Sequence, residues 1–176
     1  FETIGNATAI IHDRKPVLVT DPWIAGDPYF GSWGMSHEIP SAQMENILNC
    51  EYVWFSHGHP DHLIADSLDK LSNKKILLPD HFGGRINSEL VASGINTRVL
   101  PSAEWVDISK NIKIMCLPDY NQDAVLLIAI NDNLIVNLND SGARGYIGFI
   151  KDISQNFKKR YALMGNNYGN VDMLNI

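Results

Sequence analysis

Three histidines and an aspartate fall within six residues, His57-Gly58-His59-Pro60-Asp61-His62. Neutral imidazole and carboxylate are the usual donors to zinc and to harder divalent ions. Four such groups crowded into one turn are expensive to bury unless a positive charge sits among them. The spacing therefore points to a metal site, and the competing reading is a solvated His-rich loop that binds nothing. Gly58 is expected to allow an unusual backbone angle and Pro60 to fix one, so that the donors sit in a tight loop and not a helix. Other reaction classes lack their parts: the chain has no Gly-rich phosphate loop with a following Lys and no Gly-x-Ser-x-Gly elbow. The glycine pair in Phe82-Gly83-Gly84-Arg85 reads more economically as a helix start.

The elements that must position these donors follow from hydrophobic pattern. The run Tyr52-Val53-Trp54-Phe55 reads as a buried strand, and the histidines emerge at its C-terminal end, where α/β proteins place ligand crevices. Strands are predicted at 7–12, 17–21, 52–56, 75–78, 97–100, 112–117, 125–130, 134–138 and 161–164, and helices at 41–48, 63–71, 84–93 and 146–157. Ser41 is the expected N-cap of the first helix and Gly94 the stop of the third. Asn131-Asp132-Asn133 reads as a tight turn, and Asn166 to Asn170 as a loop after the last strand. The segment 26–35, rich in Gly, Pro and aromatic residues, reads as a long surface loop. There Trp23, Tyr29, Phe30 and Trp33 either line a substrate pocket or pack core. Periodicity alone gives a mixed α/β fold.

The motif His57-x-His59-x-Asp61-His62 matches the signature of the metallo-β-lactamase superfamily at every defined position. The resemblance continues in Val17-Leu18-Val19-Thr20-Asp21-Pro22-Trp23, a strand ending in Asp-Pro, and in Leu134 to Asp140, a strand ending in the position of the metal-bridging Asp. Gly5 to Ile11 resembles the opening strand of the subgroup holding the ascorbate-phosphate lactonases and phospholipase-D-like hydrolases. Asp-Pro-Trp, Trp33, His37-Glu38-Ile39-Pro40 and Asn139-Asp140 most resemble the hydroxylase domain that acts on CMP-sialic acid. This resemblance implies an α+β, four-layer αββα sandwich with two divalent ions (Zn, Mn or Fe) at one edge. It implies that His57 and His59 hold the first ion, Asp61 and His62 the second, and Asp140 spans both. In such a site two ions roughly 3.5–4 Å apart make a bridging hydroxide nucleophilic at neutral pH, with Asp61 also holding the attacking water.

Two ligands of the family pattern are displaced or absent. Where a further histidine would follow the strand at 112–117, the chain reads Leu117-Pro118-Asp119. Asp119 is the nearest candidate ligand, and a carboxylate there would favour iron or manganese; the alternative is that it caps a turn. No histidine follows His81, so the last ligand of the second site is either beyond Ile176 or lost. The expectation is a single domain over 1–176 that is a fragment of a longer product, incomplete at its C-terminus. Asp21, at a strand end, is a candidate to orient a ligand histidine. His37 is weighed between a substrate contact and an exposed loop histidine, and His81 between a second-sphere or substrate role near the site and none; His12 is expected to be a surface or packing residue.

Composition fits an enzyme domain: 45% hydrophobic and 19% charged residues are ordinary for a globular chain. The net charge of −6 argues against a broad nucleic-acid footprint. It leaves room for a small-molecule substrate, including a phosphorylated or sugar-nucleotide-like one, because metal can supply local positive charge. No stretch is long and apolar enough to span a membrane and the N-terminus lacks a signal pattern, so a cytoplasmic protein is expected. Cys50 and Cys116 lack paired spacing and are expected to be buried thiols. Three functions fit: metal-dependent hydrolysis of an ester, lactone or phosphodiester; an iron-dependent oxidoreductase domain needing a partner; and a non-catalytic metal-binding domain.

Overall fold

The computed structural model describes residues 1–165 of the 176-residue chain. The loop expected at Asn166 to Asn170 lies outside the described residues. Strands β1 (Glu2–Gly5), β2 (Thr8–Asp13) and β3 (Lys15–Thr20) form an antiparallel meander at the start. A single turn α1 (Pro28–Gly31) follows, then α2 (Ser41–Asn49), β4 (Tyr52–Trp54), α3 (Ala65–Leu71), β5 (Lys75–Pro79), α4 (Arg85–Ala92) and β6 (Thr97–Leu100). Each of the last three strands joins the sheet in parallel, giving the order β1-β2-β3-β4-β5-β6. Parallel neighbours need a crossover, and α2, α3 and α4 supply it. The second sheet holds β7 (Trp105–Asp107), β8 (Ile112–Pro118), β9 (Ala124–Ile130) and β10 (Asn133–Asn139), all antiparallel, and β11 (Lys159–Met164), which returns parallel to β10 after α5 (Ile147–Ser154).

Side-chain alternation sorts each strand onto two cores. Trp54 and Leu77 point between the sheets, where they meet Ile114, Cys116, Leu126 and Ile128 from the second sheet. Their neighbours Val53, Phe55, Ile76 and Leu78 point the other way, onto Ile47, Leu71 and Leu90 of the helices. In β8, Met115 and Leu117 likewise turn away from the centre towards Ile150 and Ile153 of α5. Both faces of both sheets are thus covered, and the layers run helices, sheet, sheet, helix, the expected αββα sandwich.

The differences from the predicted elements are local. Ser41 is the first helical residue and not the cap; Pro40 occupies that place, with no side-chain cap. Gly94, at φ 79°, ends α4 as expected, its amide bonding Val91 O while Ile95 N reaches Leu90 O. The β9–β10 turn is tighter than predicted: Asn133 already pairs with Ile130, leaving Asn131 and Asp132 as the two-residue loop, with Asn131 at φ 51°. Cys50 and Cys116 are buried and unpaired, and burial pushes both thiols up to about 12. No helix among the described residues is long and apolar enough to cross a membrane.

Candidate metal centre

Four strand ends from two sheets converge on one place. Asp21 follows β3, Ser56 and His57 follow β4, Asp140 follows β10, and the 119–123 loop follows β8. Asp21 (φ 39°) and Asn139 (φ 55°) both take left-handed backbone, so two of these strands turn sharply as they reach the site. Asp and Asn tolerate that conformation better than most residues. In the histidine loop, His62 N and Leu63 N both bond His59 O, closing a turn. Gly58 does not supply the unusual angle expected of it: its φ is outside the positive range. Its small size is what matters, because a β-carbon there would lie 3.1 Å from Ile86 Cδ1.

Two donor groups form around a shared carboxylate. His57, His59 and Asp140 make one and Asp61, His62 and Asp140 the other, with the donor atoms of each group within 4.8 Å of one another. His57 Nε2 lies 2.6 Å from His59 Nδ1 and 3.9 Å from Asp140 Oδ2. His62 Nε2 lies 3.3 Å from both Asp61 Oδ2 and Asp140 Oδ2.

The surroundings hold the His57 and His62 imidazoles in opposite charge states. Burial, with His62 and His59 alongside, pushes His57 down to about 3, so it is neutral. Burial also works against charge on His62, but Asp140, Asp21 and Asp61 outweigh it and push His62 up to about 12. Asp61 is raised by burial and then brought well below the usual carboxylate range by His62 and Tyr29, and Asp140 is lowered chiefly by His62. The metal-free cluster thus places a proton where its carboxylates need a cation. Burial raises Asp123 to about 7.

The remaining sequence candidates divide clearly. Asp21 is fully buried and acts as a hub: Oδ1 accepts from Ser56 N (2.7 Å), Oδ2 accepts from Asn139 Nδ2 (2.6 Å), and Oδ2 faces His62 Nδ1 at 3.6 Å. That last distance is too long for a hydrogen bond, so Asp21 acts on His62 through charge. Asp119 takes the turn-cap alternative and stands outside both donor groups. Its Oδ1 accepts from Asn121 N (2.8 Å) and Asp123 N (3.1 Å), and its Oδ2 from Ser141 Oγ (2.9 Å). His37 sits against the β1 end, its Nε2 3.0 Å from Ile4 O, away from the donor groups. His81 is buried with Nε2 3.0 Å from Asp123 O, bracing the loop after β8. His12 lies against Glu2 at 2.7 Å.

Asp123 and Ser56 carry no distinct sequence signal, and Tyr29 and Asn139 make contacts that the sequence reading of an aromatic pocket wall and an Asn-Asp pair does not contain. Asp123 Oδ1 lies 3.5 Å from His57 Nδ1, and Ser56 Oγ lies 2.8 Å from the same nitrogen. These two groups occupy the Nδ1 side and leave Nε2 facing Asp140. Asn139 Nδ2 bonds both Asp21 and Ser56, tying the second sheet to the first. Tyr29 donates its hydroxyl to Asp61 Oδ1 at 2.7 Å. A cleft of about 1360 Å³ opens over the donors, walled by Tyr29, Trp33 and Ile86 and bordered by Arg85, Lys151 and Arg160. Of the four aromatic candidates, Tyr29 and Trp33 line this cleft, Trp23 is buried and Phe30 projects into solvent.

Comparison with known proteins agrees with this architecture. No family model matches the chain. Over 132 residues it is 30% identical to the cytidine monophosphate-N-acetylneuraminic acid hydroxylase of Xenopus laevis and 29% identical to the inactive human counterpart, 70% of the chain in each case. The chain spans only about a quarter of these relatives' length, 22% and 26%. Among solved structures it resembles CmlA, a diiron β-hydroxylase from Streptomyces venezuelae, with TM-score 0.62 and 14% identity over 86% of this chain and 32% of that one. It also resembles an isothiocyanate hydrolase from Delia radicum gut bacteria, with TM-score 0.63 and 15% identity over 85% and 66% of the two chains. A third is the metallo hydrolase Igni18 of Ignicoccus hospitalis, with TM-score 0.61 and 16% identity over 90% and 66%. The αββα sandwich, with the donors at its strand ends, and these structural likenesses give the chain the metallo-β-lactamase fold.

Proposed function

We propose that the chain is a metal-dependent hydrolase domain whose two donor groups hold two divalent ions, His57 and His59 on one side, Asp61 and His62 on the other, with Asp140 common to both. The observation that carries the reading is Asp140, which among the described residues is the carboxylate common to both donor groups. The donors suit the ions: His57 is neutral and carries no charge for an ion to displace, and His62 Nε2 lies 3.3 Å from both the Asp61 and the Asp140 carboxylates. Bound there, two divalent ions would supply Lewis-acid activation of water and of the scissile group, with zinc, manganese or iron all compatible with a mixed imidazole and carboxylate set. Asp21 holds His62 in the site electrostatically, while Ser56 and Asp123 fix the rotation of His57. Tyr29 and Trp33 give the cleft an apolar wall, and the basic side chains at its border suit an anionic ester, lactone or phosphodiester. Asp119 is left to its turn.

A second reading, iron-dependent oxidation, is favoured by the sequence likeness to the CMP-N-acetylneuraminic acid hydroxylases. By that likeness a sugar nucleotide is the substrate class to try first.

Metal analysis of the purified protein, with turnover of phosphodiester and lactone substrates, separates the readings. About two zinc or manganese ions with hydrolysis support the first, and redox-active iron with oxygen consumption the second. His59→Ala should cut affinity steeply, since the other donors are already committed. Metal-free protein, or a His59→Ala variant that binds as before, would refute both.

A further inference from the structure

Two consecutive aromatic residues adopt left-handed backbone: Tyr29 at φ 53°, ψ 50° and Phe30 at φ 59°, ψ 34°. In this region Cβ crowds the following carbonyl, which glycine avoids and bulky residues rarely accept. The chain leading into the turn is pinned from α3. Ser67 Oγ accepts from Ile24 N (2.9 Å) and Ala25 N (3.1 Å), and Trp23 Nε1 donates to Gly26 O (2.8 Å). Gly26 sits so close to Asp66 that a β-carbon would fall 2.5 Å from its Oδ2. From that fixed point the strained turn carries the Tyr29 hydroxyl to Asp61 Oδ1, at 2.7 Å. The other oxygen, Asp61 Oδ2, faces His62 Nε2 at 3.3 Å, and Asn6 Nδ2 holds the Asp61 carbonyl at 3.0 Å.

We propose that Tyr29 is the positioning residue for Asp61: its phenol holds Oδ1 to one side so that Oδ2 alone is presented to the ion shared with His62 and Asp140. A carboxylate with both oxygens free can rotate between one-oxygen and two-oxygen ligation. With one oxygen accepting a phenol hydrogen bond, that rotation is stopped. Backbone strain concentrated at such a contact is the pattern seen where a side chain must be delivered to a functional site. The Tyr29 ring also packs on Trp33 at 4.8 Å, which steadies the phenol from the cleft side.

The inference rests on the two-ion centre proposed above, and cobalt(II) titration of the intact protein tests both separately. Tyr29→Phe keeps the ring and removes only the hydroxyl. It should lower affinity for one of two cobalt ions by roughly 10- to 100-fold, the usual loss when a ligand's hydrogen-bond partner is removed. That ion's visible absorption should change as Asp61 is freed, while the other ion's spectrum and affinity stay as they were. Phe30→Gly relieves strain one residue on without touching the phenol; it should raise the melting temperature and leave both cobalt affinities unchanged. Equal affinities and spectra in Tyr29→Phe, with two ions bound, would overturn the inference alone. So would loss of cobalt binding in Phe30→Gly, which would assign the effect to the loop backbone. Wild-type protein that takes up no cobalt would overturn this inference together with the two-ion centre.

Discussion

Asp140→Asn removes the one charge common to both donor groups with almost no change in side-chain size. In the metal-free protein its effect falls first on His62, whose Nε2 lies 3.3 Å from Asp140 Oδ2. A unit charge pair at that separation is worth about 5 kcal/mol at an effective dielectric of 20. Asp140 is 22% exposed, so solvent screens part of this and about 3 kcal/mol is a fair expectation, roughly two pKa units. The sign is fixed: Asp140 raises His62, so its removal lowers it. The effect reaches stability as well. His62 is raised from 6.5 to about 12, so the folded state holds a proton that the unfolded state releases within that window. Its stabilising contribution is complete below pH 6.5 and declines as pH rises towards 12, by about 1.4 kcal/mol per pH unit. Asp123 titrates in the folded state near 7 and the thiols depart from their ordinary 9 only above it, which leaves pH 7 to 9 to His62. Denaturant unfolding of metal-free protein should therefore show stability falling across that interval, with side-chain imidazole NMR assigning the proton. Asp140→Asn should move the His62 titration down and reduce the slope at the upper end of the interval. An unmoved His62 in a natively folded variant would refute the shared-charge account of the centre.

The two donor groups also differ in what an incoming ion must displace. Filling the Asp61 and His62 group should release about one proton, from His62, whereas the already neutral His57 should contribute almost none near pH 7. Calorimetry in buffers of different ionisation enthalpy reads this directly, and equal release in both steps would contradict the assigned charge states. Asp119→His should leave metal identity unchanged and lower stability by about 2 kcal/mol, because the Asp119 carboxylate caps Asn121 N and Asp123 N and accepts from Ser141. A shift of preference from iron or manganese to zinc would instead return Asp119 to the ligand set.

The histidine loop was legible because its chemistry is local: four donors within six residues announce themselves without any knowledge of the fold. Strands such as Ala124–Ile130 were legible for a related reason, since a run buried on both faces stays apolar throughout, and Ile112–Pro118 follows it apart from the exposed Lys113. β1 and β7 are not legible because Glu2–Gly5 and Trp105–Asp107 begin or end on an acidic residue and show no apolar run, with only one buried position between them. The site contacts that the sequence does not encode act over long chain separations: Tyr29 reaches Asp61 across 32 positions and Asn139 reaches Asp21 across 118. Nothing in the neighbours of Tyr29 signals left-handed backbone; only the fixed approach from Ser67 and Gly26 makes it necessary. Asp119 and Asp123 show the finest limit. Both lie in one loop after β8, and which of them faces His57 depends on which carboxylate the turn consumes, a matter of angles that spacing does not encode.

The placement of the shared carboxylate has a structural consequence of its own. The candidate donors His57, His59, Asp61 and His62 come from a loop of the first sheet, whereas Asp140 follows a strand of the second. A centre spanning both donor groups therefore exists only when the sheets are packed in register across the core of Trp54, Leu77, Ile114 and Leu126. The Asp21, Asn139 and Ser56 hydrogen bonds lie at that seam, linking β3, β4 and β10 immediately beside the ligands. Buried polar groups are costly unless fully partnered, so this link tolerates few alternative sheet registers. The same bonds that specify how the sheets dock thereby set the distance between Asp140 and the histidines, and the precision of the centre is inherited from the packing of the sandwich rather than from the loop that carries the motif.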